Sequence, residues 1–199
     1  MKVFRYVALL ALMVLVSCEG DQGPVGPKGD TGNANVKSGS ISPTNAEWLW
    51  NSVYTLDTDT GSSTSWFTRY VDVSVPQITA GIIANGAVLV FMEPDVGSGR
   101  WVPLNYSFTS FGGTYMLNFV YEATEGLLRL HFYMTPNTGA NPSTQTWQLP
   151  TFAFRYVVIA GTALQSIQSG EVDVDLRDYD SVRAFVESRE GAEPAIDRP

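Results

Sequence analysis

Few side chains in this 199-residue chain are able to do covalent or metal chemistry. There is one thiol, Cys18, and one imidazole, His131. A single cysteine excludes an internal disulfide and any multi-thiolate zinc site, and a single histidine excludes a paired-His metal site. A Ser-His-Asp hydrolase would have to use His131. That residue falls within Leu128 to Met134, where Arg129, His131 and Tyr133 alternate with apolar residues, and no Gly-x-Ser-x-Gly elbow accompanies it. Its expected place is therefore an ordinary surface position. Asp57-Thr58-Asp59-Thr60-Gly61 begins like a calcium loop, with carboxylates two apart, but lacks the third ligand and the distal bidentate Glu. A hairpin turn accounts for it. Asp173, Asp175, Asp178 and Asp180 could face a hard cation, but a solvated edge plus favourable charge at a helix start needs fewer coincidences. No metal and no cofactor is expected. Nothing picks out the carboxylate pair that a glycosidase needs across a cleft, so the expectation is a non-enzymatic chain, with a hydrolase as the remotest alternative.

Five tryptophans, at 48, 50, 66, 101 and 147, are the other candidates for contact with a ligand. Strict alternation would put Trp48 and Trp50 on one strand face, and Trp66 on the polar face of its own strand. Exposed aromatics on a β domain can stack on sugar rings, so Trp48, Trp50 and Trp66 are candidate ligand contacts. Core or intersubunit packing is the competing role for all five.

The thiol sits at the end of a distinctive segment. Lys2 and Arg5 precede an unbroken apolar run from Val7 to Val16. Ten helical residues span roughly 15 Å, half of a bilayer core, so the run is too short to cross a membrane. Charge, a short apolar run and then small residues is the order of a secretory signal. The run closes as Leu15-Val16-Ser17-Cys18, which resembles the lipobox of bacterial lipoproteins. That resemblance implies diacylglycerol on the Cys18 thiol, cleavage before it, and acylation of the new amino terminus. At about 0.8 kcal/mol per buried methylene, one acyl chain binds a membrane reversibly and two or three hold almost permanently. Glu19 and Asp21 resemble the acidic surface-export signal of Bacteroidota lipoproteins, or are simply the hydrophilic start of a linker.

Gly20, Gly23, Gly26, Gly29 and Gly32 keep a strict period of three. Only Gly fits the axis of a collagen triple helix, so this period has a steric meaning. Pro24 and Pro27 fix φ near the polyproline value, and Lys28-Gly29-Asp30 resembles the step that pairs charges between staggered collagen chains. A homotrimer would follow if the run forms a triple helix. In a single chain it is a stiff, hydrated tether of about 45 Å. Signal, Cys, Gly-x-y triplets and a β domain together resemble a group of Bacteroidota lipoproteins with collagen-like repeats. The likeness extends to Ile78-Thr79, Asn85 to Val90, Trp101 to Leu104 and Phe154 to Gly161. It implies location and architecture and supplies no active site.

Beyond residue 35 the signal is that of strands. Hydrophobic residues make up 44% of the chain and aromatics 12%, enough for a packed, β-leaning core. Phe67, Val71, Val73 and Val75 share a face, with Arg69 a charged intruder on it; Pro76 ends that strand. Thr79 and Gly86 bracket a short helix, with Gly86 as a left-handed stop. Ala87 to Met92 reads as a strand covered on both faces. Tyr115 to Tyr121 and Leu128 to Met134 form a hairpin turning at 123–126; Phe152 to Ile159 and Val172 to Leu176 add two strands. Asn137 to Gln145 is a loop, and a short amphipathic helix starts at Asp178. The expected architecture is all-β: a single β-sandwich-like domain over 36–186, with one or two short helices. It follows a signal peptide (1–17) and a lipidated, collagen-like tether (18–35), and precedes a polar tail (187–199).

The formal charge is −8, and loss of Lys2 and Arg5 on cleavage would make it −10. An acidic surface repels phosphate backbones, so nucleic acid is not an expected partner. The implied function is a lipid-anchored envelope protein, at the outer membrane or cell surface, displaying a structural or interaction domain. The alternative is a surface module that binds a glycan or protein ligand for nutrient capture.

Overall fold

The computed structural model describes residues 35–57, 61–110, 112–139 and 143–190. The proposed lipidation residue Cys18 and the collagen-like repeat residues Gly20, Gly23, Gly26, Gly29 and Gly32 lie outside the described residues. The chain forms two antiparallel sheets packed face to face. Their strands are β1 (Val36–Ile41), β2 (Leu49–Asp57), β3 (Ser63–Ser74), β4 (Ala87–Glu93), β5 (Val102–Pro103), β6 (Tyr106–Thr109), β7 (Tyr115–Thr124), β8 (Leu127–Pro136) and β9 (Ala153–Ile159). The smaller sheet runs β1-β9-β4-β5 and the larger β2-β3-β8-β7-β6. The strand order leaves both sheets open, so the all-β, sandwich-like expectation holds. Among the described residues there are three short α-helices, α1 (Ala80–Asn85), α2 (Gly161–Gln168) and α3 (Tyr179–Glu190), and one 3-10 turn at Asn45–Glu47.

Period-two patterning builds the main core. Leu128, Leu130, Phe132 and Met134 of β8 face Val90 and Met92 of β4 and Phe154 and Val158 of β9, with Trp48 filling space between the sheets. The other face of the small sheet carries Phe91, Val157 and Ile159. It is covered by Ala163 of α2 and by Val182, Phe185 and Val186 of α3. That second cover is why Ala87 to Met92 is apolar without interruption.

Several local features differ from the sequence expectation. Val172, Val174 and Leu176 are partly buried while Asp173 and Asp175 are exposed, as alternation predicts. The segment nevertheless joins no ladder; its side chains pack on the small sheet's cover, and the Val172 amide donates to the Ser166 carbonyl at 3.2 Å. The helix α2 carries no sequence signal at its start, since Ala160 before it offers no capping side chain. The last helix continues past 186 into the expected polar tail. Thr79 caps α1 as expected, its hydroxyl accepting from the Ile82 amide at 3.3 Å. Gly86 does not adopt the left-handed conformation; its φ is −102°. Glycine is needed there because a Cβ would sit 2.4 Å from the Ile159 carbonyl oxygen.

The two ends of the domain differ. Val36 pairs with Ile159 and Ile41 with Phe154. The Tyr121 hydroxyl donates to the Val88 carbonyl at 2.7 Å, and Trp48 packs on both Phe119 and Phe154. These contacts align the Leu127 end of β8 with the chain entry at Asn35. The Pro136 end of β8 is thus the far end. Replacing Gly86 with Ala should lower stability by about 1–3 kcal/mol, seen as a lower urea midpoint at unchanged slope; an unchanged midpoint would contradict the close approach.

Candidate functional site

The larger sheet outgrows the smaller one. From Arg69 to Ser74, β3 pairs with β8, and its Arg69–Tyr70 end pairs with β2 as well, but Ser63–Thr68 pairs with β2 alone. Six residues at about 3.3 Å each give a two-stranded arm that runs on past Phe132 at the far end of the domain. A bulge in β2 decides which residues face which way. Trp50 pairs with Arg69, Ser52 with Thr68 and Val53 with Phe67, so Asn51 is the extra residue, at φ 79°. Asn tolerates that conformation better than most residues. The bulge shifts Trp50 onto the face of Val53 and Phe67, and leaves Ser52 and Tyr54 on the opposite face with Trp66. Both faces of the arm are consequently aromatic.

On the core-side face, Phe67 is 64% exposed because no strand of the small sheet reaches it. Its ring lies 6.3 Å from that of Trp50. Together with Ser65, Trp66, Met134, Ser143 and Thr144 they line a groove of about 360 Å³. The Thr144 hydroxyl approaches the Phe67 carbonyl at 3.5 Å.

Arg69 braces this groove from beneath. It is only 5% exposed, and its partners are neutral. Nε and Nη2 donate to the Trp48 carbonyl at 3.2 and 2.7 Å, and Nη2 to the Asn45 carbonyl at 2.5 Å. Nη1 donates to Asn45 Oδ1 at 2.8 Å and to the Trp147 carbonyl at 2.5 Å. Burial alone pushes its pKa down from the usual arginine value. Asn45 Oδ1 also accepts from the Leu149 amide at 2.9 Å. The charged intruder on an apolar face is thus a clamp that joins the turn at Asn45–Glu47 to the segment 144–149.

The outer face of the larger sheet departs from a plain solvated surface. His131 is fully buried there, so the surface position expected for it is corrected. Tyr54 lies against its ring, centroids 5.6 Å apart, and Tyr54, Trp66 and Tyr133 stack on one another at 5.1–6.3 Å. His131 Nδ1 is 3.0 Å from the Thr68 hydroxyl and Nε2 is 3.2 Å from a Glu122 carboxylate oxygen. The order Thr-His-Glu resembles a nucleophile relay, but the exposures are reversed. Thr68 is buried and Glu122 is exposed, whereas a nucleophile must meet its substrate and the acid behind it is normally sheltered. Desolvation lowers the His131 pKa, and Glu122 partly offsets this. Beside the relay, Arg129 grips Asp72 with two bonds, at 2.6 and 2.8 Å, and covers the Tyr70 ring. That grip holds the Asp72 carboxyl below the ordinary range.

Of the three predicted aromatic contacts, Trp50 and Trp66 are half-buried and border the groove, but only Trp50 sets its ring beside Phe67; the Trp66 ring stacks on Tyr54 and Tyr133 at the outer face. Trp48 is 2% exposed in the core and can touch no ligand; it precedes β2, and its carbonyl is held by Arg69. Sequence reasoning misses Phe67 as a contact, because its alternation with Val71 and Val73 reads as core. Asp178 Oδ1 accepts from the Ser181 amide at 2.8 Å and Asp175 Oδ1 from the Arg177 amide at 2.9 Å, so both carboxylates serve local backbone. Among the described residues no three His, Cys, Asp or Glu side chains converge as metal ligands. No protein-family model matches the chain, and neither a curated protein nor a solved structure matches it.

Arg69→Met should cost about 3 kcal/mol, because it leaves several buried carbonyls unpaired; a chemical-denaturation midpoint unchanged from wild type would contradict the clamp. Because its folded pKa is depressed, His131 contributes stability that is present above the unfolded value near 6.5 and lost as pH falls towards the folded value. Thermal midpoints should therefore drop between about pH 7 and about pH 5, and His131→Gln should flatten that slope. An unaltered slope would show that other groups titrate instead.

Proposed function

We propose that this chain is a membrane-anchored envelope lipoprotein. Acyl chains on Cys18 hold it at the outer membrane or cell surface, and the Gly-x-y run from Gly20 to Gly32 spaces a non-enzymatic interaction domain from the bilayer. One observation supports display above all. The chain enters the domain at Asn35, beside the Val36–Ile159 pair, and the aromatic arm projects from the opposite end. A domain tethered by its amino-terminal end would present that arm away from the membrane. The buried Thr68 hydroxyl speaks against the Thr68-His131-Glu122 set as a hydrolase. The surface around Phe67 and Trp50, with Ser65, Ser143 and Thr144 beside it, suits the capture of a glycan or peptide.

A homotrimer is the second reading, favoured by the five consecutive Gly-x-y triplets at 20–34. Three copies would then present three arms in one direction, raising effective ligand affinity through multivalency.

Fractionation tests the anchor. Wild-type chain expressed in a lipoprotein-processing bacterium should sediment with membranes and incorporate labelled palmitate. Cys18→Ser should do neither and appear in the aqueous fraction. A Cys18→Ser chain that still sediments with lipid would overturn the reading. The sedimentation mass of that soluble variant distinguishes a trimer from a monomer.

A further inference from the structure

We propose that the groove between the arm and the segment 143–147 binds a neutral glycan, with a sugar ring laid against Phe67 and Trp50. This names the ligand class of the proposed display module and rests on that reading for the groove being turned outward.

The chemistry of the lining supports this choice. Phe67 and Trp50 form an angled pair of apolar walls, their ring planes 36° apart, and Met134 adds a further apolar residue to the lining. Ser65 and Ser143 bring hydroxyl-bearing residues to the lining. Not one of the seven lining residues is charged, in a chain that carries twenty carboxylates and twelve cations. A neutral pyranose has the matching surface: a C–H face that stacks on aromatic rings and an equatorial edge of hydroxyls. An anionic polymer would find no cation here to offset its desolvation. A hydrocarbon chain would strip water from the serine hydroxyls and offer no hydrogen bond in return. The volume of about 360 Å³ lies within the range of ligand sites.

The site is also held in shape. Arg69 fixes the Trp147 carbonyl, Thr144 reaches the Phe67 carbonyl, and Ser65 shares a 2.8 Å hydrogen bond with Thr55 across the arm. A preformed platform loses little conformational entropy on binding. Phe67 is 64% exposed, with Trp50 as its ring contact, so most of its apolar face is open to a ligand.

Affinity electrophoresis of the full chain carrying Cys18→Ser tests the proposal. The probes are soluble β-glucan, galactomannan and starch, with polygalacturonate as the anionic comparison. At least one neutral polysaccharide should retard the protein, and polygalacturonate should not. Phe67→Ala and Trp50→Ala should each weaken retardation by about tenfold, the equivalent of one good stacking contact. Phe67→Ala should keep the wild-type denaturation midpoint, which separates lost binding from lost folding. Val96→Ala, an exposed apolar site elsewhere, should bind as wild type. Retardation by no neutral polysaccharide, equal retardation by polygalacturonate, or unaffected binding by the Phe67 and Trp50 variants would each overturn it. So would a dimer that Phe67→Ala converts to monomer, since the groove would then be filled by a second copy. The protein in this assay is soluble, so failure of the membrane anchor would leave its outcome readable.

Discussion

The guanidinium of Arg69 is the constraint on which the far end of the domain depends. A buried cation is costly to desolvate, and here no carboxylate is bonded to it. Carbonyl and amide oxygens of Asn45, Trp48 and Trp147 take that place. These acceptors belong to irregular segments whose own carbonyls would otherwise lack donors. The cation and the irregular backbone satisfy one another, and neither arrangement is stable without its counterpart. A planar fork of five donors can serve three backbone carbonyls on two segments at once, which a lysine ammonium could not.

With those segments fixed, the unequal size of the sheets acquires consequences. The smaller sheet ends near Ile41, Glu93 and Ala153, while β2 and β3 continue. The arm must therefore be a two-stranded ribbon, a form that has marginal stability alone. Ring stacking of Tyr54 and Trp66 on Tyr133 ties one face to the sheet, and the 143–147 segment supports the other. The edge strand β2 exposes Leu49, Val53 and Leu56. Such an edge invites pairing with another chain, and the bulge at Asn51 interrupts the regular ladder that pairing would need.

Much of the fold was legible in the sequence. Alternation at Leu128 to Met134, Phe67 to Val75 and Phe152 to Ile159 marked strands and faces, because a sheet with one buried side imposes a period of two. Thr79 as a cap and the uninterrupted run at Ala87 to Met92 were equally clear. The failures share a cause: each needed a partner distant in sequence. Val172 to Leu176 alternates like a strand but finds no ladder. His131 lies on a polar face, yet Tyr54, 77 positions earlier, lies against it. Gly86 does stop its helix, but not in the expected left-handed conformation; the Ile159 carbonyl is what excludes a side chain there.

By itself the sequence determined the order of segments: an apolar run shortly before Cys18, a Gly-x-y run, and a strand-rich remainder in a chain of net negative charge. These are properties of neighbouring residues, so spacing and composition suffice to define them. Only the tertiary structure decided the candidate site. One extra residue at Asn51 reverses the parity of β2, sending Trp50 to the face of Phe67 and Trp48 into the core. Strand parity depends on register with a partner, and so does whether an apolar face is covered. Phe67 and Val71 carry the same local pattern, and only the reach of the opposing sheet makes one core and the other surface.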